Sequence, residues 1–421
     1  MTIKFYILVL KSFNIVTMNF RMLNRYKRNL FGFWLLGLFN NYSFVIMLSA
    51  AHDLIHENEN TDTNVTDVSS SNNTRDCNEL STGTILLADE IPAIIIKLFA
   101  PFLALWISVR VSAVVIFSCL SFIIVSFSRS NPVTLLGVVC ASLSSGLGEV
   151  SFLAFTHQFS EPVISAWSSG TGAAGVIGAG SYALMTSLGL SPQQTVLVML
   201  IVPGGLAVTF WCLLEPSRSP DQQTEYRPLA QSEHEEDLNL QSPEQSALSF
   251  VEKITIIRSL LKYMIPLGAV YFFEYLINQG LFELLYFPRT FLSHSQQYRW
   301  YQLTYQLGVL VSRSSLVCLV ISRIYLLSLL QGLTAALLCV QAVTWSLSGD
   351  SGLVLIFLIV FWEGLLGGAA YVNTFHRISE ESEERSREFS LGITSVADSL
   401  SIAAAGVVAL PLHNIICDMP V

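Results

Sequence analysis

An all-α polytopic membrane protein, with about eleven transmembrane helices in two halves, is what these 421 residues predict. Three features carry that expectation. Hydrophobic residues make up 52% of the chain and charged residues only 13%. That is about half the charged share of a soluble domain, and a soluble fold could not hide so much apolar surface. Apolar runs of roughly 20 residues, enough to cross a hydrocarbon core, recur from residue 31 to residue 412. One long polar stretch, 216–258, separates an earlier set of runs from a later one.

Residues 1–30 read as an N-terminal cytosolic segment. The first span, 31–51, is interrupted by Asn40 and Asn41. The polar loop 52–80 follows, with the sequons Asn64-Val-Thr66 and Asn72-Asn-Thr74. Two acceptor motifs in one hydrophilic loop point to a glycosylated luminal loop. Spans at 82–104, 111–128, 132–157, 161–190 and 192–215 complete an N-terminal half, 31–215. Pro, Ser, Gln and acidic residues then dominate 216–258, the composition of a disordered linker. Spans at 259–286, 298–318, 323–346, 351–376 and 388–412 form a C-terminal half, 259–412, and 413–421 is a tail. With the N-terminus in the cytosol, seventeen of the 22 Lys and Arg fall on the cytosolic side, four on the luminal side, and Lys97 within a span. The positive-inside rule favours that orientation, and an odd number of spans puts the C-terminus in the lumen.

The net charge of −9 argues against a nucleic-acid partner. The seven cysteines show no zinc or redox spacing. No metal or cofactor is expected, and no phosphate-loop or zinc-protease motif occurs. The chain does not read as an enzyme.

The two halves look like a repeat. SSGLGEVSFLAFTH (144–157) aligns without gaps to EGLLGGAAYVNTFH (363–376). Gly148 then meets Gly367, Phe152 meets Tyr371 and His157 meets His376. The first and seventh spans also correspond, each with a polar break: Asn40-Asn41 in one, Glu274 and Asn278-Gln279 in the other. Two such halves joined by a long linker form the pattern of the major facilitator fold, whose first, fourth, seventh and tenth helices line a central cavity. Gly170, Ala174 and Gly178 repeat every four positions, a face on which helix backbones approach closely.

Charges inside spans are expensive and point to function. Lys97, Glu149, Glu274, Glu363 and Arg313, with Asn40 and Asn278, are the candidate pathway residues. Carboxylates on spans four, seven and ten would exchange protons, while Lys97 and Arg313 would hold an anionic group of a solute. Asp89, Glu90, Asp398, His157 and His376 are secondary candidates. Static ion pairing between helices is the plainer alternative for each, and helix-end His the plainer one for His157 and His376.

The segments FWLLGLFNNYSFVIMLSAAHD (33–53), WSSGTG (167–172), LSPQQT (190–195), EYLINQGLFELL (274–285), QQYRWYQ (296–302) and LPLH (410–413) resemble the battenin family, the endolysosomal membrane proteins of Batten disease. The resemblance runs from about 31 to 414. It implies a glycoprotein of lysosomal and late endosomal membranes, reached through the Golgi and related to major facilitator transporters. It also implies a part in clearing glycerophosphodiesters, in lysosomal pH and basic amino-acid homeostasis, and in autophagy. Partners would be a small polar or anionic solute, protons, the bilayer, and cytosolic sorting proteins that bind the linker. The alternative function is a trafficking scaffold with no carrier activity. The chain departs from the family in three places. Residues 1–20 are apolar where the family has a polar tail. The sorting signal keeps Glu225 and Leu229 but has Ala230 at its last position. Cys417 stands fifth from the end, which breaks the prenylation rule.

Overall fold

A computed structural model describes residues 25–62, 82–102, 105–159, 162–215, 248–288 and 290–419. Helices α1 to α6 are Arg25–Asp62, Thr82–Phe99, Ile107–Ser126, Asn131–Phe155, Val163–Ser187 and the segmented Pro192–Leu213. Helices α7 to α11 are Phe250–Leu281, His294–Arg313, Ile324–Thr344, Gly349–Glu381 and Glu384–Cys417. No strand occurs among the described residues. Eight of these helices are long and apolar enough to cross a membrane on their own. The other three are α2, α5 and α8. α2 carries Asp89, Glu90 and Lys97 in 18 residues, and α8 is the polar HSQQYRWYQLTYQLGVLVSR.

Several boundaries differ from the sequence reading. α1 begins at Arg25, inside the segment read as an N-terminal tail, and stays helical to Asp62, into the region read as the loop 52–80. α7 begins at Phe250, inside the stretch read as linker. A reciprocal capping box starts it: the Ser249 side chain accepts from the Glu252 N–H, and the Glu252 carboxylate accepts from the Ser249 N–H. α11 runs to Cys417, through most of the segment read as a tail. α6 is broken after Val198, because Pro203 has no N–H for the Met199 carbonyl. The polar break foreseen in the first span leaves α1 continuous, whereas that in α7 coincides with a π turn at Ile277–Leu281. Asn64, Asn72, Glu225 and Leu229 lie outside the described residues.

Helix pairing reveals the repeat. α1 packs chiefly on α5, and α7 on α11; α2 packs on α4, and α8 on α10. Between the halves, α5 meets α8 and α11 meets α2. Adding six to each helix number maps this set of pairs onto itself, so the two halves are related by a pseudo-twofold.

Lipid supplies no hydrophobic force between helices, so close packing and polar bonds hold them together. Leu358 and Val407, exposed on their helices, are typical of the lipid-facing surface. The Gly170 face does what its spacing implies: it lies on the α1 backbone at Trp34, and Gly37 answers it against the carbonyl of Trp167. A Cβ at Gly170 would collide with the Trp34 carbonyl oxygen. Gly170→Ala is therefore expected to destabilise the N-terminal half by about 1–3 kcal/mol, the usual cost of overpacking. A lowered thermal midpoint in detergent checks this; an unchanged midpoint would show that α1 and α5 are not held this tightly.

Candidate functional site

The buried charges gather where the halves meet. Lys97 on α2 is enclosed, and its ammonium lies 2.6 Å from Glu149 Oε2 on α4. It also reaches α11, at 3.4 Å from Asp398 Oδ1, 2.7 Å from Ser399 Oγ and 3.2 Å from the Ser395 carbonyl. Glu90, two turns from Lys97 on α2, hydrogen-bonds Ser399 as well. One lysine thus faces three carboxylates from both halves. Lys97 was expected to hold a solute anion. The structure instead engages it with the protein's own acids, because α2 and α11 pack with these side chains facing each other.

Glu149 continues the network. Its Oε1 accepts from the Tyr371 hydroxyl of α10 at 2.8 Å, and Trp167 Nε1 of α5 donates to that same hydroxyl at 3.3 Å. The Arg313 guanidinium lies over the Tyr371 ring, 4.1 Å from its centroid. It donates to Thr171 Oγ1 of α5 at 2.5 Å and to the Tyr271 hydroxyl of α7 at 2.8 Å. Although it is the last residue of α8, Arg313 therefore reaches inward between the halves. No acidic side chain among the described residues is in ion-pair contact with it, and its Nε is buried without an acceptor. Glycines make room here: the Arg313 side chain passes against Gly172 of α5 and Gly368 of α10.

The repeat is exact in role at one further point. Gly148 of α4 abuts the Asn40 side chain of α1, and Gly367 of α10 abuts the Glu274 carboxylate of α7. Asn40 Nδ2 donates to the Ser145 carbonyl at 3.1 Å, and Glu274 accepts from the Tyr305 hydroxyl of α8. Each half thus seats one polar side chain of its first helix on a glycine of its fourth. The second oxygen of Glu274 has no partner, nor does Asn278 Oδ1 in the adjoining π turn. Glu363 is fully buried with neither carboxylate oxygen bonded, and Glu274 is the charge that acts on it. The Asp89 carboxylate is likewise unpartnered, while its carbonyl accepts from Ser142.

His157 and His376 stand apart, at the ends of their runs. His157 Nε2 is 3.9 Å from Glu388, and His376 Nε2 is 3.5 Å from Glu380. Sequence reasoning missed Tyr371, Tyr271, Tyr305, Trp167, Thr171 and Ser399, since aromatics and hydroxyls in apolar runs read as ordinary packing. One signal was present: the repeat aligns Tyr371 with Phe152, so one half gains a hydroxyl where the other has none.

The model of the family described as CLN3 protein matches residues 31–419. The chain belongs to the CLN3 protein family. Canine Battenin, a member of it, is 47% identical over 410 residues, covering 93% of this chain and 92% of the relative. Protein BTN1 of Saccharomyces cerevisiae is 35% identical over 415 residues, covering 91% and 94%. Among solved structures, the human organic anion transporter MFSD10 superposes with a TM-score of 0.57 at 14% identity, covering 93% of this chain and 95% of that one. A bacterial homologue of the human lysosomal transporter Spinster gives a TM-score of 0.51 at 14% identity, covering 90% and 79%. This CLN3-family chain is a multi-pass membrane protein with the major facilitator fold. In family and fold it resembles membrane transporters rather than enzymes.

Proposed function

We propose that the protein carries a small anionic or polar solute across a lysosomal or late endosomal membrane, with Arg313 holding the anion. The observation that carries this reading is a buried guanidinium at the junction of α5, α7, α8 and α10, with hydroxyls and a ring around it; among the described residues no carboxylate is in ion-pair contact with it, and Glu274 acts on it only from a distance. A buried cation with no carboxylate in contact is costly, and a site that recruits an anion lowers that cost. Arginine suits the task because its planar fork matches carboxylate and phosphate groups. Glu274 and Glu363, buried with unpartnered oxygens, are the groups that exchange protons with the lumen. Glycerophosphodiesters are the favoured solutes, in keeping with the family resemblance. A role in lysosomal pH and basic amino-acid homeostasis would follow from proton-linked export. The N-terminus faces the cytosol, passage is through the Golgi, and segment 216–258 is the surface for sorting proteins.

Solute flux into proteoliposomes tests the reading, with glycerophosphodiesters and basic amino acids at two luminal pH values. Uptake of a phosphodiester that responds to the proton gradient is expected, and Glu274→Gln should abolish that response while leaving a slower, gradient-independent flux. Absence of saturable flux for any of these solutes would leave the trafficking scaffold as the better account.

A further inference from the structure

Among the described residues, the polar bonds between the halves lie toward one end of the molecule. That end is where α4 finishes, α7 and α11 begin, and Arg28 of α1 pairs with Glu215 after α6. It is the end from which segment 216–247 departs. His157 faces Glu388 there, Phe102 meets Phe389 edge-to-face at 5.6 Å, and Lys253 lies 5.0 Å from the Phe102 ring centroid. Further in come Ser169–Ser314, Thr171–Arg313, Glu149–Tyr371 and the Lys97 cluster. The structure is therefore shut at the linker end, and opening there has to break these bonds.

Lys97 and Glu149 belong to the N-terminal half, Asp398 to the C-terminal half. The bond within one half is the shorter, 2.6 Å against 3.4 Å. If the halves rock as rigid bodies, Lys97 and Glu149 move together. Glu149 loses its Tyr371 bond and binds Lys97 more fully, while Asp398 loses its cation. The groups acting on Asp398 are Lys97 and Glu90 from α2, Glu149 from α4, Tyr271, Glu274 and Tyr275 from α7, and Tyr371 from α10. Among them Lys97 alone is a cation. An anion stripped of its only counter-ion in a weakly polar interior is strongly unfavourable, and a proton removes the charge.

Building on the carrier reading, we propose that Asp398 is a proton-binding site that licenses opening of the linker end: the halves part there once Asp398 takes up a proton and releases Lys97 to Glu149. The proton comes from solvent and adds to one carboxylate oxygen; no other bond is made or broken. Asp398 is thus a gating site distinct in place from Arg313 and from the Glu274–Glu363 pair. It couples proton occupancy to the shape of the molecule, whichever solute is carried.

Hydrogen–deuterium exchange of the full-length protein in nanodiscs tests this without any solute. Segments 98–106 and 384–392 are followed at pH 5 and pH 7.5, corrected for intrinsic exchange. In the parent, both should exchange at least several-fold faster at pH 5. Asp398→Asn, which imitates the protonated acid, should exchange fast at both pH values. Glu149→Gln should do the opposite: it removes the shortest ion pair of Lys97 and leaves the ammonium to Asp398 and Glu90, so the linker end should stay protected at both. Should either variant retain the parent's pH difference, or the parent show none, the assignment of Asp398 is overturned. Should Asp398→Asn not fold, Glu149→Gln decides alone. The pattern holding while proteoliposomes show no flux would reject the carrier reading and leave the proton site standing.

Discussion

Arg313→Gln is expected to weaken binding of an anionic solute by roughly 30- to 160-fold, the equivalent of about 2–3 kcal/mol for a lost charge-assisted hydrogen bond. The side chain supplies a positive charge between the halves that no carboxylate among the described residues contacts, and its removal leaves Thr171 and Tyr271 with hydroxyls that water can satisfy. Because no carboxylate among the described residues is in contact with the guanidinium, the variant should fold nearly as well as the parent. Arg313→Lys should recover only part of the affinity, since an ammonium cannot lie flat on the Tyr371 ring and reach both hydroxyls at once. Concentration-dependent uptake gives the apparent affinity, and a neutral analogue of the same solute serves as control. Equal losses for the charged and neutral compounds would mean that Arg313 supports the fold and does not read charge.

The opposite balance is expected at Lys97. Lys97→Ala removes the sole cation among Glu90, Glu149 and Asp398 and leaves their buried carboxylates without a counter-ion. Breaking such a group from one side costs about 3–5 kcal/mol, so the protein should show a large fall in thermal midpoint and poor recovery from the membrane. Adding Glu149→Gln and Asp398→Asn to Lys97→Ala should restore much of the stability, because neutral amides bear burial far better than uncompensated charges. Thermal unfolding of the single, double and triple variants reads this directly. No rescue would mean that the lysine's loss acts through the volume of its stem. Even a fully rescued triple variant should not open the linker end with pH, since Asp398, the acid proposed to gate it, is gone.

These contrasting outcomes were not legible from the two residues as sequence. Both are basic, both sit in or beside apolar runs, and both were read as holding a solute anion. Lys97 points from α2 onto α11, where Asp398 and Ser399 stand some three hundred residues further along the chain. Arg313 ends its helix beside Gly172 and Gly368, and the missing side chains there let it turn inward onto Tyr371. Glu274 and Asn40 fared better. The sequence repeat paired the polar breaks of the first and seventh spans, and each does sit on the matching glycine of the fourth or tenth helix. The start of α7 was also legible in principle, since Ser249 and Glu252 have the spacing of a capping box. The polar composition of the stretch before it obscured this start.

By itself the sequence determined that this chain lives in a membrane, that its apolar runs form two related halves, and that acids and bases were placed inside those runs. These are properties of composition and of position along one strand of chain, and water and lipid sort them without reference to neighbours. Only the tertiary structure decided which buried charge is paired with which. Ion pairing depends on the few ångströms between side chains of different helices. Those distances are fixed by how glycine faces let the helices dock, and no periodicity within a single helix encodes them.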